Sequence, residues 1–499
     1  MLRLCLASAL VLTACSSDHR RDPGAQTKGA SSTQEASGEA PTLEASGEAA
    51  TAQAVEPSAP TPDAPALARP GKIPAEPQRP GDPAAGYRAL VNQNYIGCGV
   101  PYSIYESIFG SWPRRFRLPD RPGRNAELPY FLTAYQKADG VEVVTANCLA
   151  CHADFLNGSL VIGLGASRLD FSMDPSPPLE VAGLLLKGAE RDEWRRFADR
   201  VKAISAHLRT RTMGANPGDA IAAALFAHRD RETLAWSQEP LMDLPPAVEV
   251  PVDVPPWWRM NKKHAMFYTA AGRGDHARIM MTASALCTDS VEQARQIDAY
   301  FPDIRAYIAS LTPPPWPYSI DQERAASGQT VFRRKCQRCH GSYGAKPSYP
   351  NKVISLSKVG TDPLLADGTG QFASSFVTWF NESFYGEIAR MEPAAGYIAP
   401  PLDGIWATAP YLHNGAVPTL AALLDSRQRP TYWTRSYGDS DYDTEAMGWR
   451  TTALERAPTE RTLAVVDTTL PGYGKGGHTF GDKLSAEERA ALLEYLKTL

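Results

Sequence analysis

The sequence lacks several features that would assign a protein class at once. After its first residues it has no apolar run approaching the roughly 20 residues that a membrane-spanning helix needs. It has no block of like charge either: 51 Lys and Arg stand against 55 Asp and Glu, a net charge of −4. A basic stripe is the usual footprint of nucleic-acid binding, so no nucleic-acid partner is expected. No long stretch alternates apolar and polar residues in the pattern of a half-buried strand.

The N-terminal region has few large apolar residues except at its very start. Residues 1–14 combine one Arg with a short apolar run, the pattern of a secretory signal peptide. The run ends in Leu-Thr-Ala before Cys15, which resembles a bacterial lipoprotein box. We therefore expect a lipid on Cys15 and an anchor on the periplasmic side of the cell envelope, with the outer membrane favoured because Ser16 follows. An ordinary signal peptide with a chance cysteine is the alternative.

Residues 15–85 differ in composition from the rest of the chain. They are dominated by Ala, Ser, Thr, Gly, Glu and Pro. Such a stretch buries too little apolar surface to offset the loss of chain entropy on folding. We predict a disordered tether that holds a globular body away from the membrane.

The body of the chain shows helical rather than strand patterns. Apolar residues recur at helical spacing in 191–211, 219–236 and 303–311, and Ser485 with Glu488 forms a capping box that opens a last helix. We predict a mainly α fold.

Two short motifs carry the clearest chemistry. Cys148-Leu149-Ala150-Cys151-His152 and Cys336-Gln337-Arg338-Cys339-His340 both read CxxCH, the attachment signature of haem c. The two thiols reach the vinyl groups of one porphyrin, and the adjacent His supplies an imidazole nitrogen to the iron. A zinc site would need four ligands, and no second Cys pair or close His follows either motif. We predict two covalently bound haem c groups with His152 and His340 as axial ligands.

The remaining cysteines of the body are Cys98 and Cys287. An oxidising compartment permits a disulfide between them. The sequence does not give the distance between the two residues, so the bridged and the free forms both stay open.

The two motifs have matched surroundings. Leu311 follows Cys148 by 163 positions at the end of a predicted helix, and Leu499 follows Cys336 by the same 163. Equal spacing of the same landmarks indicates a duplication. We predict two cytochrome c-type haem domains in tandem, at 86–315 and 316–499.

Further stretches resemble known families. Residues 408–415 read Thr-Ala-Pro-Tyr-Leu-His-Asn-Gly and, with 402–407, resemble a stretch of bacterial di-haem cytochrome c peroxidases and the related MauG enzyme. Trp257-Trp258, residues 265–275 and Gly476-Gly477-His478 resemble the rubber-oxygenase-like (RoxA-like) branch more closely. The resemblance extends from about Tyr87 to the end of the chain.

This resemblance implies a division of labour between the two haems. The first would meet peroxide or dioxygen, and the second would be six-coordinate and pass electrons, with Trp258 as a relay between them. For the sixth ligand of the second haem His478 ranks first, with His413 and Met391 as alternatives. His264 and His276 are candidate distal groups of the first haem, and each reads equally well as a surface residue. A calcium ion is implied by the resemblance alone.

The leading functional prediction is a peroxidase-type oxidoreductase. It would reduce hydrogen peroxide with electrons from a small donor protein of the cytochrome or cupredoxin type. The first alternative is an oxygenase that uses dioxygen to cleave an apolar substrate. The second is a non-catalytic electron-transfer cytochrome, in which both irons would have two protein ligands.

Overall fold

The structure is a computed structural model that describes residues 67–371, 374–458 and 462–499. The predicted signal peptide, the lipidation site Cys15 and the predicted tether as far as residue 66 lie outside the described residues. Within the described ranges, no helix combines the length and the apolar character that crossing a bilayer requires.

The described residues form sixteen α-helices, most of them short. Their bounds are α1 Pro83–Asn92, α2 Tyr102–Phe109, α3 Leu149–His152, α4 Ser176–Ala182, α5 Gly188–Ala203, α6 Gly218–Ala227, α7 His276–Met280, α8 Val291–Asp298, α9 Phe301–Ser310, α10 Gln322–Lys335, α11 Gln337–His340, α12 Leu356–Val359, α13 Leu364–Gln371, α14 Ser374–Glu382, α15 Leu420–Leu424 and α16 Ala486–Leu496. Among the short 3-10 helices, Trp257–Lys262 and Ile405–Ala407 lie near the candidate site.

Fourteen short strands accompany these helices in the described ranges. Their bounds are β1 Val100–Pro101, β2 Leu132–Gln136, β3 Glu142–Ala146, β4 Ala153–Leu156, β5 Ser159–Ile162, β6 Gly272–Gly274, β7 Val353–Ser355, β8 Ala389–Met391, β9 Gly396–Ile398, β10 Tyr432–Thr434, β11 Tyr442–Asp443, β12 Gly448–Trp449, β13 Thr452–Leu454 and β14 Val465–Asp467. They form two three-stranded sheets, in the orders β1-β3-β2 and β13-β10-β14, and the four pairs β11-β12, β4-β5, β6-β8 and β7-β9.

The prediction of a mainly α fold is wrong. The described residues are 38% helical and 14% strand, and the strands are distributed over six small sheets. Each strand is only two to five residues long. Because so short a strand holds at most two or three residues on each face, it leaves no alternating run that the sequence could reveal.

The prediction of two tandem haem domains is also wrong. The largest core cluster joins early residues such as Leu90 and Val201 with Val377, Trp379 and Phe380, which come after the second motif. The second cluster in turn includes Leu156 and Trp258 from the first half. The two cores therefore exchange segments, and neither is built from one continuous half of the chain.

The described end of the predicted tether is packed rather than disordered. Ile73 is only 2% exposed and packs against Ala265 and Ala270. Arg79 forms ion pairs with Asp275 and Asp298 at 2.9 and 2.8 Å. A composition dominated by small and polar residues concealed these two anchoring side chains.

Several predicted helices are confirmed. Helices α5 and α9 lie within or close to the predicted stretches 191–211 and 303–311, whereas α6 is shorter than the predicted 219–236. At the last helix, α16, both hydrogen bonds of the predicted capping box between Ser485 and Glu488 are present. Helix α16 packs closely on α10 at Gly328, where an added Cβ would lie 1.9 Å from the carbonyl oxygen of Ala491. Helix α10 leads directly into the second CxxCH motif.

A disulfide joins Cys98 to Cys287 within the first core, with 5.7 Å between the Cα atoms. It links the start of the β1 region to the segment that precedes α8. The bridged alternative is therefore the one the structure contains.

Candidate functional site

The first CxxCH motif is fixed by backbone hydrogen bonds. Cys148 is the N-cap of α3, and its N–H donates to the hydroxyl of Tyr95 at 2.9 Å. The motif leads directly into the β4-β5 hairpin, whose two-residue turn is Asn157-Gly158 with positive φ at both positions. Asn-Gly is the preferred pair for such a turn. The hairpin then returns the chain to the motif, where the Gly163 N–H donates to the carbonyl of His152 at 2.8 Å.

The imidazole of His152 stacks on Trp257, with 4.6 Å between the ring centroids and 21° between the planes. Burial lowers the pKa of His152 to about 4. The ring is therefore neutral at pH 7 and keeps a lone pair for a metal ion. Its Nδ1 atom is buried without a hydrogen-bond partner in the part of the chain that the structure describes.

The four motif cysteines are free thiols in the described residues. Burial raises the pKa of Cys148 and Cys151 to about 11 and that of Cys336 to about 12. The side-chain amide of Asn216 lies 3.5 Å from the sulfur of Cys151. The four thiols are placed as two pairs, as attachment to the two vinyl groups of one porphyrin requires.

In the second motif, one ring nitrogen of the histidine is hydrogen-bonded and the other is left to bind iron. Helix α11 ends at His340, whose Nδ1 donates to the carbonyl oxygen of Pro400 at 2.7 Å. Burial lowers the pKa of His340, so the ring is neutral at pH 7. A hydrogen bond from the outer nitrogen fixes the tautomer and leaves Nε2 to bind iron, as is common for metal-bound histidine.

His478 lies across from His340. The ring centroids are 6.2 Å apart, with 62° between the planes. A ligating imidazole nitrogen lies about 2 Å from its metal ion. Two rings that share one ion from opposite sides therefore have their centroids about 6 Å apart, as observed here. Burial lowers the pKa of His478 to about 3, and its Nδ1 has no hydrogen-bond partner among the described residues.

The loop that carries His478 is held from two sides. The His478 N–H donates to the carbonyl of Val359 at 2.6 Å. Gly477, with φ +70°, packs so closely on Gly360 that an added Cβ would lie 2.1 Å from its carbonyl carbon. The guanidinium of Arg429 donates to the carbonyls of Lys475 and Gly477 at 2.7 Å each, and to that of His478 at 3.2 Å.

The two alternative ligands lie elsewhere. His413 stacks on Tyr397 with 4.1 Å between the centroids, and burial lowers its pKa to about 3. Met391 belongs to β8 and to the first core cluster. Of the three candidates, His478 is the one whose ring faces that of His340. The ligand assignment stays a prediction that this geometry supports.

The two candidate distal histidines lie beside the segment that precedes α1. The Nδ1 of His264 is 3.0 Å from the carbonyl oxygen of Ile73. His276 is 2% exposed, and both of its ring nitrogens are buried without a hydrogen-bond partner among the described residues. Neither is thus a simple surface residue. Their role at the first haem stays a prediction.

Trp258 connects the surroundings of the two motifs. It is 2% exposed, and its Nε1 donates to the carbonyl of Asp403 at 2.9 Å. An added Cβ on Gly163 would lie 3.6 Å from the indole, and one on Gly404 would lie 3.0 Å from its Nε1. The indole therefore lies between two segments. One contains Gly163, which is hydrogen-bonded to His152, and the other follows Pro400, whose carbonyl accepts the hydrogen bond of His340.

Sequence reasoning missed several charged groups near the motifs. Arg435 is 8% exposed and donates to the Ser167 hydroxyl at 3.0 Å, while its Nη1 has no hydrogen-bond partner among the described residues. Arg259 is 7% exposed and donates to the carbonyl of Asp403 at 3.1 Å. Buried guanidinium groups are the usual partners of carboxylates. The two residues fit the carboxylate side chains of a porphyrin.

Asp219 is a further group that the sequence did not single out. It lies in the first turn of α6, three residues after Asn216, and nearby Ile221 packs in a cluster with Cys151. Asp219 is an exposed residue, and desolvation by the surrounding protein raises the pKa of its carboxyl to about 6. In the sequence it looked like an ordinary helix-start residue.

The arrangement fits haem c at each motif: paired thiols, a neutral histidine on the adjacent turn, and buried cations nearby. No group of three or more His, Cys, Asp or Glu residues suited to a metal ion occurs in the described ranges. The predicted calcium ion therefore has no location here and stays a prediction.

Comparison with known proteins gives one family match. Residues 396–434 match a family described as RoxA-like, cytochrome c-like. This stretch contains Pro400, which holds His340, and the motif around His413. The match covers one cytochrome c-like domain and not the two haem domains that we predicted.

Two curated relatives are similar over part of the chain. "Uncharacterized protein y4iJ" of Sinorhizobium fredii (strain NBRC 101917 / NGR234) is 30% identical over 285 residues, 44% of this chain and 46% of that protein. "Uncharacterized protein y4iM" of the same organism is 31% identical over 234 residues, 38% of this chain and 52% of that protein. The chain thus spans about half the length of these relatives. The wider di-haem peroxidase and MauG resemblance is not confirmed, whereas the match at 396–434 supports the RoxA-like branch of the cytochrome c family and, with it, covalently bound haem c.

Proposed function

We propose that this protein is an oxidoreductase with one haem c at each CxxCH motif, and that the second haem supplies electrons to the first. The observation that carries the proposal is the facing pair His340 and His478, 6.2 Å apart. Iron with two histidine ligands has no open position and suits electron transfer. Trp258 lies between the two motifs and gives the electrons a short route.

At the first motif the protein orients the histidine ligand and supplies protons for the reduction of peroxide. Trp257 fixes the plane of the His152 ring by stacking. Asp219 has a pKa of about 6, close enough to neutral pH for it to give and take protons. When bound, the haem would supply the redox chemistry that reduces peroxide. The overall reaction consumes one hydrogen peroxide, two protons and two electrons and yields two waters.

An oxygenase that uses dioxygen is the second candidate function. The match of residues 396–434 to the RoxA-like family favours it. The non-catalytic electron carrier would require a second protein ligand at the first haem as well as at the second.

An optical spectrum with carbon monoxide separates enzyme from carrier. We expect the reduced protein to bind carbon monoxide at one of its two haems, the first. A spectrum that does not change would refute the enzyme proposals. Turnover then separates the two enzymes: a peroxidase consumes peroxide in proportion to oxidised donor, whereas an oxygenase consumes dioxygen and incorporates labelled oxygen into an apolar product.

The cellular location is part of the proposal. The disulfide between Cys98 and Cys287 supports an oxidising compartment, in agreement with a lipid anchor at Cys15 on the periplasmic side of the envelope. Replacement of Cys15 by Ser should remove the lipid mass increment and release the protein from the membrane fraction. Wild-type protein that is already soluble and without lipid would disprove the anchor.

A further inference from the structure

A depression opens at the surface beside the second CxxCH motif. Gln337 and Arg338, the two residues between the motif cysteines, line it together with Arg333 and Gly341. Tyr349 lies in its wall and donates to the carbonyl of Ala399 at 2.6 Å. The next residue is Pro400, which holds the ring of His340. The depression is therefore lined by the motif itself, and its wall is bonded to the residue next to the one that fixes the ring of His340.

The charge of this depression is opposite to that of the whole chain. Arg333 and Arg338 line it, and Lys335 is exposed between them in sequence. None of the three forms an ion pair with a carboxylate of the described residues, whereas the neighbouring Arg334 is paired with Glu488. The lining residues include no Asp or Glu. A chain of net charge −4 thus presents a local positive field at this point.

We propose that this basic depression, lined by Arg333 and Arg338 and with the exposed Lys335 next to the motif in sequence, is the docking site of a small electron-transfer protein with an acidic face. The inference rests on the proposed function and specifies where electrons enter and what charge their donor carries. One electron leaves the metal centre of the donor, which is oxidised, and is accepted at the second motif, which is reduced. No covalent bond changes.

The physical argument is complementarity. Opposite charges steer two proteins into contact and raise the association rate by about 10- to 1000-fold at low salt. Complexes between redox proteins are small and short-lived, so they depend on such steering more than on buried area. The overall negative charge of this chain would repel an acidic partner. A local basic depression at the electron entry point therefore directs such a partner to this point of the surface.

The test follows reduction of the haem-loaded, full-length protein by two donors of opposite charge. Reduced plant-type ferredoxin serves as the acidic protein donor, and hexaammineruthenium(II) as a small cationic donor. The test variant carries Arg333→Glu, Lys335→Glu and Arg338→Glu. The control variant carries Arg88→Glu, Lys187→Glu and Arg195→Glu, three exposed cations that form no ion pair in the described residues. Both variants change the net charge equally.

For wild type we expect the rate with ferredoxin to fall as salt is added, and the test variant to be slower by about tenfold or more at low salt. The control variant should stay close to wild type. Hexaammineruthenium(II) should reduce the test variant at least as fast as wild type, which shows that the haem is intact.

Equal losses in the two variants, or a ferredoxin rate that rises with salt in wild type, would overturn the docking site. The same holds if the test variant loses binding to anionic vesicles and keeps its ferredoxin rate, because the depression would then be a membrane contact. Failure of the proposed function looks different: protein without haem at the second motif lacks the absorbance change of that haem with both donors and shows the mass of a single haem.

Discussion

At the scale of single residues, the two motif histidines have different surroundings. His152 stacks on Trp257, whereas His340 faces His478 and donates a hydrogen bond to the carbonyl oxygen of Pro400. CxxCH predicts the first ligand of each iron, because its spacing is set by the porphyrin itself. It does not predict the ligand on the other face, which the fold brings from a distant segment.

Replacement of His478 by Ala tests that second ligand. Both haems should stay attached, because the thiols and His340 are unchanged. The second iron would lose a nitrogen ligand, so we expect it to become high-spin and to bind carbon monoxide, with a shifted reduction potential. Replacement of His413 by Ala is the control and should leave the second iron closed. If His413→Ala opens the site and His478→Ala does not, the ligand role belongs to His413.

Asp219 gives a prediction about pH. Burial raises its pKa from 3.8 to about 6, so the carboxyl is mainly protonated below pH 6 and ionised above it. If it donates protons at the first site, peroxide turnover should fall as the pH rises through about 6. Asp219→Asn should remove that step and lower the rate by about a hundredfold.

The exposed Asp243 is the matched control, and Asp243→Asn should keep the wild-type pH profile. An unchanged step near pH 6 in Asp219→Asn would show that another group controls the protonation.

At the scale of secondary-structure elements, long elements could be predicted from the sequence and very short ones could not. Helix α16 was predictable because its capping box and its apolar spacing agree. The β4-β5 hairpin directly follows the first motif and carries an Asn-Gly turn, a sequence signal typical of such hairpins. Strands of two or three residues such as β11 and β12 leave no pattern at all. They form because distant segments pair, and the sequence does not show which ones.

The loop from Lys475 to His478 is held on one of its two sides by the side chain of Arg429. Arg429→Met would leave carbonyl oxygens of this loop without their donor, at a cost of about 1–3 kcal/mol for each one that stays buried. We expect a lower melting temperature and a changed spectrum of the second haem, although His478 itself is intact.

Arg427→Met is the control for this loop. Arg427 is exposed, and its partner Asp425 also pairs with Arg489, so the removal of Arg427 should change neither property measurably. A melting temperature and a spectrum equal to wild type in Arg429→Met would show that the loop does not depend on this guanidinium.

At the scale of the whole molecule, the sequence located the chemistry better than the architecture. The two motifs and the equal spacing of 163 residues suggested two domains in a row. In the structure, however, Trp379 and Phe380 pack into the core of the first half, and Trp258 into the second. Equal spacing along a chain records distance in sequence, whereas a core depends on contacts in space. The described end of the tether shows the same limit: Ile73 is buried and Glu76 and Arg79 form ion pairs, although the composition of the stretch is that of a disordered segment.

The number of haems is a property of the whole molecule. Thioether bonds survive denaturation, so the wild-type protein should run on a denaturing gel with haem attached and show the mass of two haems. The pair Cys148→Ala and Cys151→Ala should remove one haem, and the pair Cys336→Ala and Cys339→Ala should remove the other. Replacement of both Cys98 and Cys287 by Ala is the control and should keep two haems, because a disulfide pair has no free thiol to offer. If the wild-type mass shows a single haem and one motif variant does not change it, the haem is attached at the other motif alone. If the empty motif is the second one, the facing pair His340 and His478 requires another explanation.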